Sequence, residues 1–231
     1  MKEKITEAVR EVGEIPCLLR RLLVFVCGLF IVALGVAFSI KSDLGTTPIS
    51  SVPYAVSLFT PLTVGTATIV LHCVLIVIQM LILKSDYKLY QLLQLPVAFM
   101  FGYMTDFANF LLEPLTYSSY AGQLLYCVIG IVIGAIGISI EVAAGIVTLA
   151  GEGTVLAICQ AKAAKFGNVK VAFDSTLVVI ACVLSICFIG ALKGFREGTV
   201  ASAICIGLLT KKFDVPLRKF SEKFLVPTGR A

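Results

Sequence analysis

The chain has 231 residues and a mass of 24.7 kDa; 58% of its residues are hydrophobic and 14% are charged, and its mean hydropathy is +1.00. Soluble domains average about 45–50% apolar and about 25% charged residues, so this chain has too few polar residues to cover a water-soluble globule. The composition excludes a cytosolic enzyme, a secreted disulfide scaffold and a disordered tail, and it predicts that a lipid bilayer surrounds most of the chain. The net charge is +5, and the positions of the charged residues along the chain indicate how it is oriented in the membrane.

Six long apolar runs are the predicted transmembrane helices, because a helix needs about 20 apolar residues to cross a hydrocarbon core about 30 Å thick. In chain order they are Leu22–Ile40, Leu62–Leu83, Leu92–Leu112, Gly122–Val142, Val171–Leu192 and the shorter Thr199–Thr210. A transmembrane β-barrel would alternate apolar and polar residues in segments of about ten, whereas these runs are continuous. The predicted fold is therefore an all-α membrane protein with six transmembrane helices.

Two further stretches, Leu44–Pro61 and Ala144–Ala161, are apolar but interrupted by Gly, Pro, Ser, Thr and Glu. If neither stretch crosses the membrane, 16 of the 19 Lys and Arg residues lie on one side, as the positive-inside rule expects of the cytoplasm. If both crossed fully, Lys84 and Lys88 would move outside. The charges favour six crossings and two re-entrant segments, with a cytoplasmic N-terminal segment (1–21) and a cytoplasmic basic tail (211–231).

The chain also contains a weak internal repeat at an offset of 102 residues, which aligns residues 28–83 with residues 130–185 and divides the chain into a first three-span repeat (22–112) and a second one (122–210). Gly28, Gly35 and Gly65 then coincide with Gly130, Gly137 and Gly167, and the two broken segments fall in register. Each half contains three crossings, and an odd number of crossings inverts the second half relative to the first. Secondary transporters use this inverted-repeat plan and bind solute at the interrupted segments. The alternative is a duplication that serves folding alone.

The first broken segment, LGTTPISSVPY, predicts a half-helix that starts at Pro48 with Thr47 as its N-cap. The positive dipole end at Ser50 and Ser51 would favour an anionic or carbonyl-bearing group near the middle of the membrane. The alternative is an extracellular loop on the surface. The second segment, LAGEGTVLAICQ, repeats the plan, and its Glu152 and Thr154 are candidates for binding a solute or a proton. A Glu at an ordinary interfacial helix start is the alternative for Glu152.

Ionisable residues inside a membrane are costly, so each is a candidate functional residue. Asp106 shares a helical face with Gly102 and Asn109, and Glu141 shares one with three glycines, which are Gly130, Gly134 and Gly137. These polar and glycine-rich faces predict helix contacts within the protein, and a homodimer could also form through them. Pro48, Ser50, Ser51, Asp106, Asn109, Glu141, Glu152 and Thr154 are therefore the predicted solute-binding residues.

Three other residues are candidates for coupling transport to a proton or ion. Asp174 aligns with His72 in the repeat, so the two side chains could form a proton path, although a single His is more often structural. Glu197 precedes the short sixth span in LKGFREGTVAS and could cap a helix that starts below the membrane surface. The alternative for Glu197 is a weak ion pair in an external loop.

The sequence has no nucleotide-binding loop, metal motif, nucleophile elbow or HExxH motif, so we expect no cofactor, no metal and no enzymatic activity. Its eight cysteines have no CxxC spacing and lie on or beside apolar runs, where a thiol acts as a small apolar group. We expect the bilayer and a small-molecule solute as partners, and no nucleic acid.

The segments LGTTPISSVPY, LPVAFMFGYMTD, GEG, KVAFD and REGT resemble the YczE/YyaS-like family of bacterial integral membrane proteins over about residues 20–213. The resemblance implies a polytopic helical fold in the bacterial cytoplasmic membrane and does not imply a substrate. The function that the sequence favours is secondary transport or export of a small polar or amphiphilic solute. A non-transporting accessory or regulatory membrane factor is the second hypothesis, and a membrane enzyme, for which a nucleophile–base pair is lacking, is the third.

Overall fold

The computed structural model describes the backbone of residues 17–225 and the side chains as far as residue 213. Most of the predicted N-terminal segment and most side chains of the predicted basic tail lie outside these residues. The described chain is all helical and contains no strand. Its helices are α1 (Leu18–Lys41), α2 (Pro48–Ser57), α3 (Val64–Leu83), α4 (Gln94–Leu111), α5 (Tyr120–Ala144), α6 (Ala150–Lys162), α7 (Phe166–Ile189) and α8 (Glu197–Leu225), with 3₁₀ turns at Lys84–Asp86 and Leu89–Leu93.

Each predicted apolar run contains a helix, and each broken segment contains a short one. In the described residues, four helices are long and apolar enough to cross a membrane by length and composition: α1, α3 with the 3₁₀ turn that follows it, α5 and α7. The helix α4 is 18 residues long and carries three strongly polar side chains, Gln94, Asp106 and Asn109. The helix α8 continues to Leu225, far beyond the apolar run that ends at Thr210.

The helix ends follow from local sequence. Pro48 occupies the first turn of α2, where a missing N–H breaks no helical hydrogen bond. The hydroxyls of Thr63 and Ser119 accept hydrogen bonds from the backbone N–H groups of Thr66 and Gly122, which caps α3 and α5. The helix α5 ends at Gly145, whose φ of 62° is the left-handed conformation that glycine adopts without steric cost.

The centre of the fold is a close antiparallel contact between α1 and α5. A Cβ added to Gly28 would meet the backbone of Glu141, and one added to Gly35 would meet the backbone of Gly134. As residue numbers rise along α1, those of the contacts fall along α5. The reciprocal contacts complete the pattern, since Gly130 meets Ser39 and Gly137 meets Val32. The predicted glycine faces are thus used in a helix contact within the chain.

The remaining helices pack around this pair. The helix α4 lies along α1, where the rings of Phe30 and Phe107 are 6.1 Å apart, and α8 lies along α5, where an added Cβ on Gly134 would be 3.9 Å from Ile206. Each short helix packs against a long helix of the other half: α2 against α7, and α6 against α3. Each also contacts the long helix that follows it, and α4 packs closely against α3.

Candidate functional site

The N-terminal ends of the two short helices meet inside the fold. A Cβ added to Gly151 of α6 would collide with the Ile49 side chain of α2. Both helix starts are buried, since Ser50 is 6% and Ser51 1% exposed at one of them, and Ala150 is 1% exposed at the other. Two positive dipole ends therefore converge on one interior region.

The hydroxyl groups of Ser50 and Ser51, which the sequence predicts to bind solute, take part in hydrogen bonds within the first turn of α2. The Ser51 hydroxyl donates to the Pro48 carbonyl (2.6 Å), and the Thr47 hydroxyl donates to Ser50 Oγ (3.0 Å). Thr47 is the N-cap residue, as predicted, but its side chain makes no capping hydrogen bond. The backbone N–H groups of the first turn are therefore not satisfied by the Thr47 hydroxyl.

The loop that leads into α2 is held by the loop that leads into α8. Gly198 N donates to the Leu44 carbonyl (2.8 Å), and Arg196 Nη1 donates to the Asp43 carbonyl (3.0 Å). Gly45 has a φ of 106°, and the Thr199 hydroxyl occupies the space that its Cβ would need. We call these contacts between residues 43–46 and 194–199 the loop clasp. It joins the LGT and REGT segments, which lie far apart in the sequence.

The predicted Thr154 belongs to a buried polar cluster at the start of α6. Gln79 Nε2 of α3 lies within hydrogen-bonding distance of three acceptors: Gln94 Oε1 (3.0 Å), the Ala150 carbonyl (3.0 Å) and Thr154 Oγ1 (3.3 Å). Gln79 is fully buried, and its Oε1 has no hydrogen-bond partner. The cluster ties α3, α4 and α6 together at the point where the two short helices meet.

Glu152 and Asp174 lie together around a lysine that the sequence reasoning missed. Lys170 Nζ is 2.9 Å from Asp174 Oδ1 and 3.8 Å from Glu152 Oε1. This charged triad bridges the start of α6 and the first turns of α7, and its side chains are 34% (Glu152), 29% (Lys170) and 19% (Asp174) exposed. The spacing of four residues between Lys170 and Asp174 was the available signal for the pair.

Glu141 lies close to this triad. It is 6% exposed, the backbone of Leu149 hydrogen-bonds to its carboxylate, and it interacts electrostatically with Glu152. A buried acid therefore faces the same helix start as the triad. The triad itself contains two carboxylates and one ammonium. No group of three or more His, Cys, Asp or Glu residues in the described part of the chain is arranged to hold a metal ion.

Asp106 occupies a helix-capping position. Its carboxylate accepts hydrogen bonds from the Thr63 hydroxyl (2.6 Å) and from Gly65 N (2.7 Å), so it caps the start of α3 from the neighbouring helix α4. Asn109 Nδ2 donates to the Thr105 carbonyl one turn earlier (2.9 Å). The expectation that the Gly102–Asp106 face packs against protein is confirmed, because Gly65 contacts both Gly102 and Asp106. A role of these two residues in binding solute stays a prediction.

His72 and Asp174 are not joined by a hydrogen bond or an ion pair in the described residues. The His72 ring is 2% exposed and stacks on Phe101 at 5.9 Å, and its Nδ1 has no partner. Glu197 begins α8 and pairs with Arg196 Nη2 (3.2 Å) and the Tyr120 hydroxyl (3.2 Å) at the exposed end of α5. The three proposed coupling residues therefore lie in three separate environments.

Long apolar helices around a glycine-packed centre define an all-helical membrane protein. Residues 19–215 match the family of unknown function DUF6198, and the chain belongs to that family. It is also similar to the uncharacterized membrane protein YczE of Bacillus subtilis (strain 168), with 26% identity over 193 residues that cover 83% of this chain and 84% of that protein. These matches confirm the resemblance carried by the sequence motifs. No solved structure matches the chain.

Proposed function

We propose that this protein is a secondary transporter of a small polar or amphiphilic solute, in the bacterial cell membrane, with six crossings and both termini in the cytoplasm. The observation that carries the proposal is the meeting of the two short helices at Ile49 and Gly151. These residues are 102 positions apart, so they are equivalent in the two halves of the chain. Paired interrupted segments that meet in this way are typical of solute sites in secondary transporters.

The contact between α1 and α5 supports an inverted repeat. Gly28 pairs with Glu141, and their equivalents Gly130 and Ser39 pair with each other. This exchange of partners is the pattern that a two-fold axis perpendicular to the antiparallel helices would produce. With α1 and α5 crossing the membrane, that axis lies in the membrane plane. Each half would then present its short helix from the opposite side.

The chemistry of the meeting point supports binding of a polar group. Backbone N–H groups and positive dipole ends of α2 and α6 converge there, which favours carbonyl or carboxylate oxygens. Ser50, Ser51 and Thr154 add hydroxyls, and Glu152 adds a carboxylate for a proton or a cation. Irregular backbone within a bilayer is tolerated where it lines a wet cavity or is buried in protein, and the loop before α2, buried at Leu44, Gly45 and Thr46, meets that condition. Transport of this kind makes and breaks no covalent bond.

Reconstitution in liposomes tests the proposal. Purified protein is sealed into vesicles with an internal pH-sensitive dye and exposed to a panel of carboxylates, amides, amines and amphiphiles. We expect at least one solute to drive proton flux, and Glu152→Gln to reduce the flux about tenfold or more, the scale of a lost charge-assisted contact. Glu113→Gln, at the exposed end of α4, is the matched control and should keep full flux.

Two results would contradict transport. One is the absence of flux across the whole panel from correctly folded protein. The other is a Glu152→Gln variant that restores the phenotype of a deletion strain as well as the natural protein does, while a stable partner protein co-purifies with it. That result would favour an accessory factor. Fluorescent-protein and alkaline phosphatase fusions at each terminus test the orientation, because the former fluoresces in the cytoplasm and the latter is active outside it.

A further inference from the structure

The loop clasp covers the chain that leads into α2. In addition to the hydrogen bonds described above, Thr46 N donates one to the Gly194 carbonyl (3.2 Å). Leu44 is 0% and Thr46 is 1% exposed, so the residues just before α2 have almost no contact with solvent. An added Cβ on Gly194 would lie 2.7 Å from the ring of Tyr54, so the covering segment also packs on α2 itself. The structure therefore shows this end of α2 closed.

The aligned loop before the other short helix lacks this cover. Thr148 aligns with Thr46 at the offset of 102 residues, yet Thr148 is exposed. Pro96 aligns with Gly198 and has no N–H, so it cannot donate the backbone hydrogen bond that Gly198 donates in the clasp. The side chain of Glu152, in the first turn of α6, is 34% exposed. The chain is thus buried where it enters α2 and exposed where it enters α6.

The loop clasp also has the features of a part that opens. Its hydrogen bonds join two short chain segments, and Arg196, which donates one of them, is exposed, so water can replace these bonds when the segments separate. Gly45 has a φ of 106° and Gly194 a φ of 82°, one on each side of the clasp. Glycine moves between such angles and negative ones without a steric penalty, so each side contains a residue that can act as a hinge.

We propose that the loop clasp is the gate at one end of the solute pathway, and that it opens to uncover Ser50 and Ser51 at the start of α2. This inference rests on the proposed transport function and assigns its moving part. The structure is then the state in which this gate is closed and the start of α6 is partly exposed. Alternation between two such states lets a solute meet one end of its site at a time, as secondary transport requires.

A natural thiol under the clasp reports its opening. Cys127 is 3% exposed, and an added Cβ on Gly198 would lie 3.0 Å from its sulfur. The full-length protein is treated with a water-soluble maleimide, and labelling at each cysteine is quantified by peptide mass spectrometry. We expect slow labelling of Cys127, which Arg196→Ala accelerates about two- to fivefold, the scale of one exposed contact. Ser51→Cys adds a second reporter, whose thiol should respond in the same way because opening uncovers the start of α2.

A cross-link across the clasp is the opposite test. Asp43→Cys and Arg196→Cys, at two exposed positions, are joined by a short bismaleimide that replaces the reach of the arginine side chain. In the linked protein, labelling of Cys127 should stop on the time scale on which the unlinked double variant is labelled. Ser139→Cys, at a buried position further along α5, is the matched control. Its labelling requires more than opening of the clasp, so it should be the same with and without Arg196→Ala.

Unchanged labelling of Cys127 in Arg196→Ala and in the linked protein would overturn the inference. Equal acceleration at Ser139→Cys would overturn it too, because it would indicate unfolding of the whole protein. A Ser51→Cys thiol that does not respond would separate the clasp from the start of α2. Solute flux through the linked protein would contradict the gate and leave transport standing. Absence of flux from every form, with labelling as expected, would contradict transport and leave the opening of the clasp standing.

Discussion

The two halves of the chain share a plan but differ in how they treat equivalent positions. The first half places uncharged side chains and a histidine around the start of α2 and closes α4 over α3. The second half places the charged triad at the start of α6, and in the described residues its α8 packs against α5 and not along α7. Unbalanced charge is costly in a buried region, and the three charged side chains of the triad are close together and partly exposed. The difference teaches that aligned positions of the two halves can have different surroundings, which the packing of the helices decides.

The contact shared by both halves should be the most sensitive to mutation. Gly35→Leu places a side chain where even a Cβ would lie 2.6 Å from the Gly134 backbone nitrogen, so α1 and α5 must separate. We expect a loss of about 3 kcal/mol or more, since backbone at this contact cannot relax as a side chain can. Thermal unfolding in detergent measures it, followed with a thiol dye that reports exposure of the buried Cys127 in a background whose seven other cysteines are replaced by alanine. Gly207→Leu, where an added Cβ meets nothing within 4 Å, should melt like the natural protein, and an equal effect would refute the packing.

The buried polar cluster ties the second short helix to the first half. Gln79→Leu keeps the side-chain size but leaves Gln94 Oε1 without its donor, and it removes one of the two side-chain donors to the Ala150 carbonyl, which keeps the Thr154 hydroxyl. We expect a loss of about 1–3 kcal/mol from these lost hydrogen bonds. The same thermal measurement on Gln160→Leu, an exposed glutamine at the other end of α6, should show no loss. Equal melting of the two variants would show that the cluster contributes no stability.

Capping of α3 by Asp106 is a feature of the first half, since the aligned residue of the second half is Leu208. Asp106→Asn retains one acceptor oxygen for Thr63 and Gly65 but loses the charge, so we expect a loss of about 1 kcal/mol. The test compares thermal stability with solute flux, using Glu113→Gln as the control. Loss of stability with normal flux assigns Asp106 to capping. Loss of flux at natural stability would instead support its predicted role in binding solute.

The loop clasp should show the smallest effect. Arg196→Ala removes a hydrogen bond to the Asp43 carbonyl and an exposed pair with Glu197, and such exposed contacts contribute about 0–1 kcal/mol. The backbone hydrogen bond from Gly198 to Leu44 remains. We therefore expect a change in unfolding free energy below about 1 kcal/mol, measured as above at low and high salt. A larger loss would mean that the side chain, and not the backbone, holds the clasp.

The helices could be predicted because each one in a bilayer must carry a long apolar run and pair its own backbone groups. The start of α2 at Pro48 followed from proline's fixed geometry. The extension of α8 to Leu225 was missed, because apolar content ends at Thr210 while helical hydrogen bonding continues. The glycine faces were correctly assigned to helix contacts, since a repeated small residue on one face permits close approach.

Pairs of residues were harder to predict from the repeat. His72 and Asp174 align at the offset of 102 residues, yet they are not joined, because alignment in a sequence repeat does not by itself bring two side chains together. Ile49 and Gly151 align at the same offset and do meet. The partners of Asp106 were invisible in the sequence, since Thr63 and Gly65 precede it by about two helix lengths. Lys170 was missed because it was counted only as one of the basic residues on the cytoplasmic side, and the sequence does not show that its partner Glu152 is close to it in space.

The sequence by itself determined the apolar helical class, the family, the positions of the helices and the residues that carry charge into the lipid-facing part of the chain. These properties follow from composition and local pattern, which any folded form must satisfy. Only the tertiary structure decided that the short helices meet end to end, that Asp106 caps a helix and that Glu152, Lys170 and Asp174 form one triad. Such pairings depend on how distant helices pack, and a linear pattern does not contain that information.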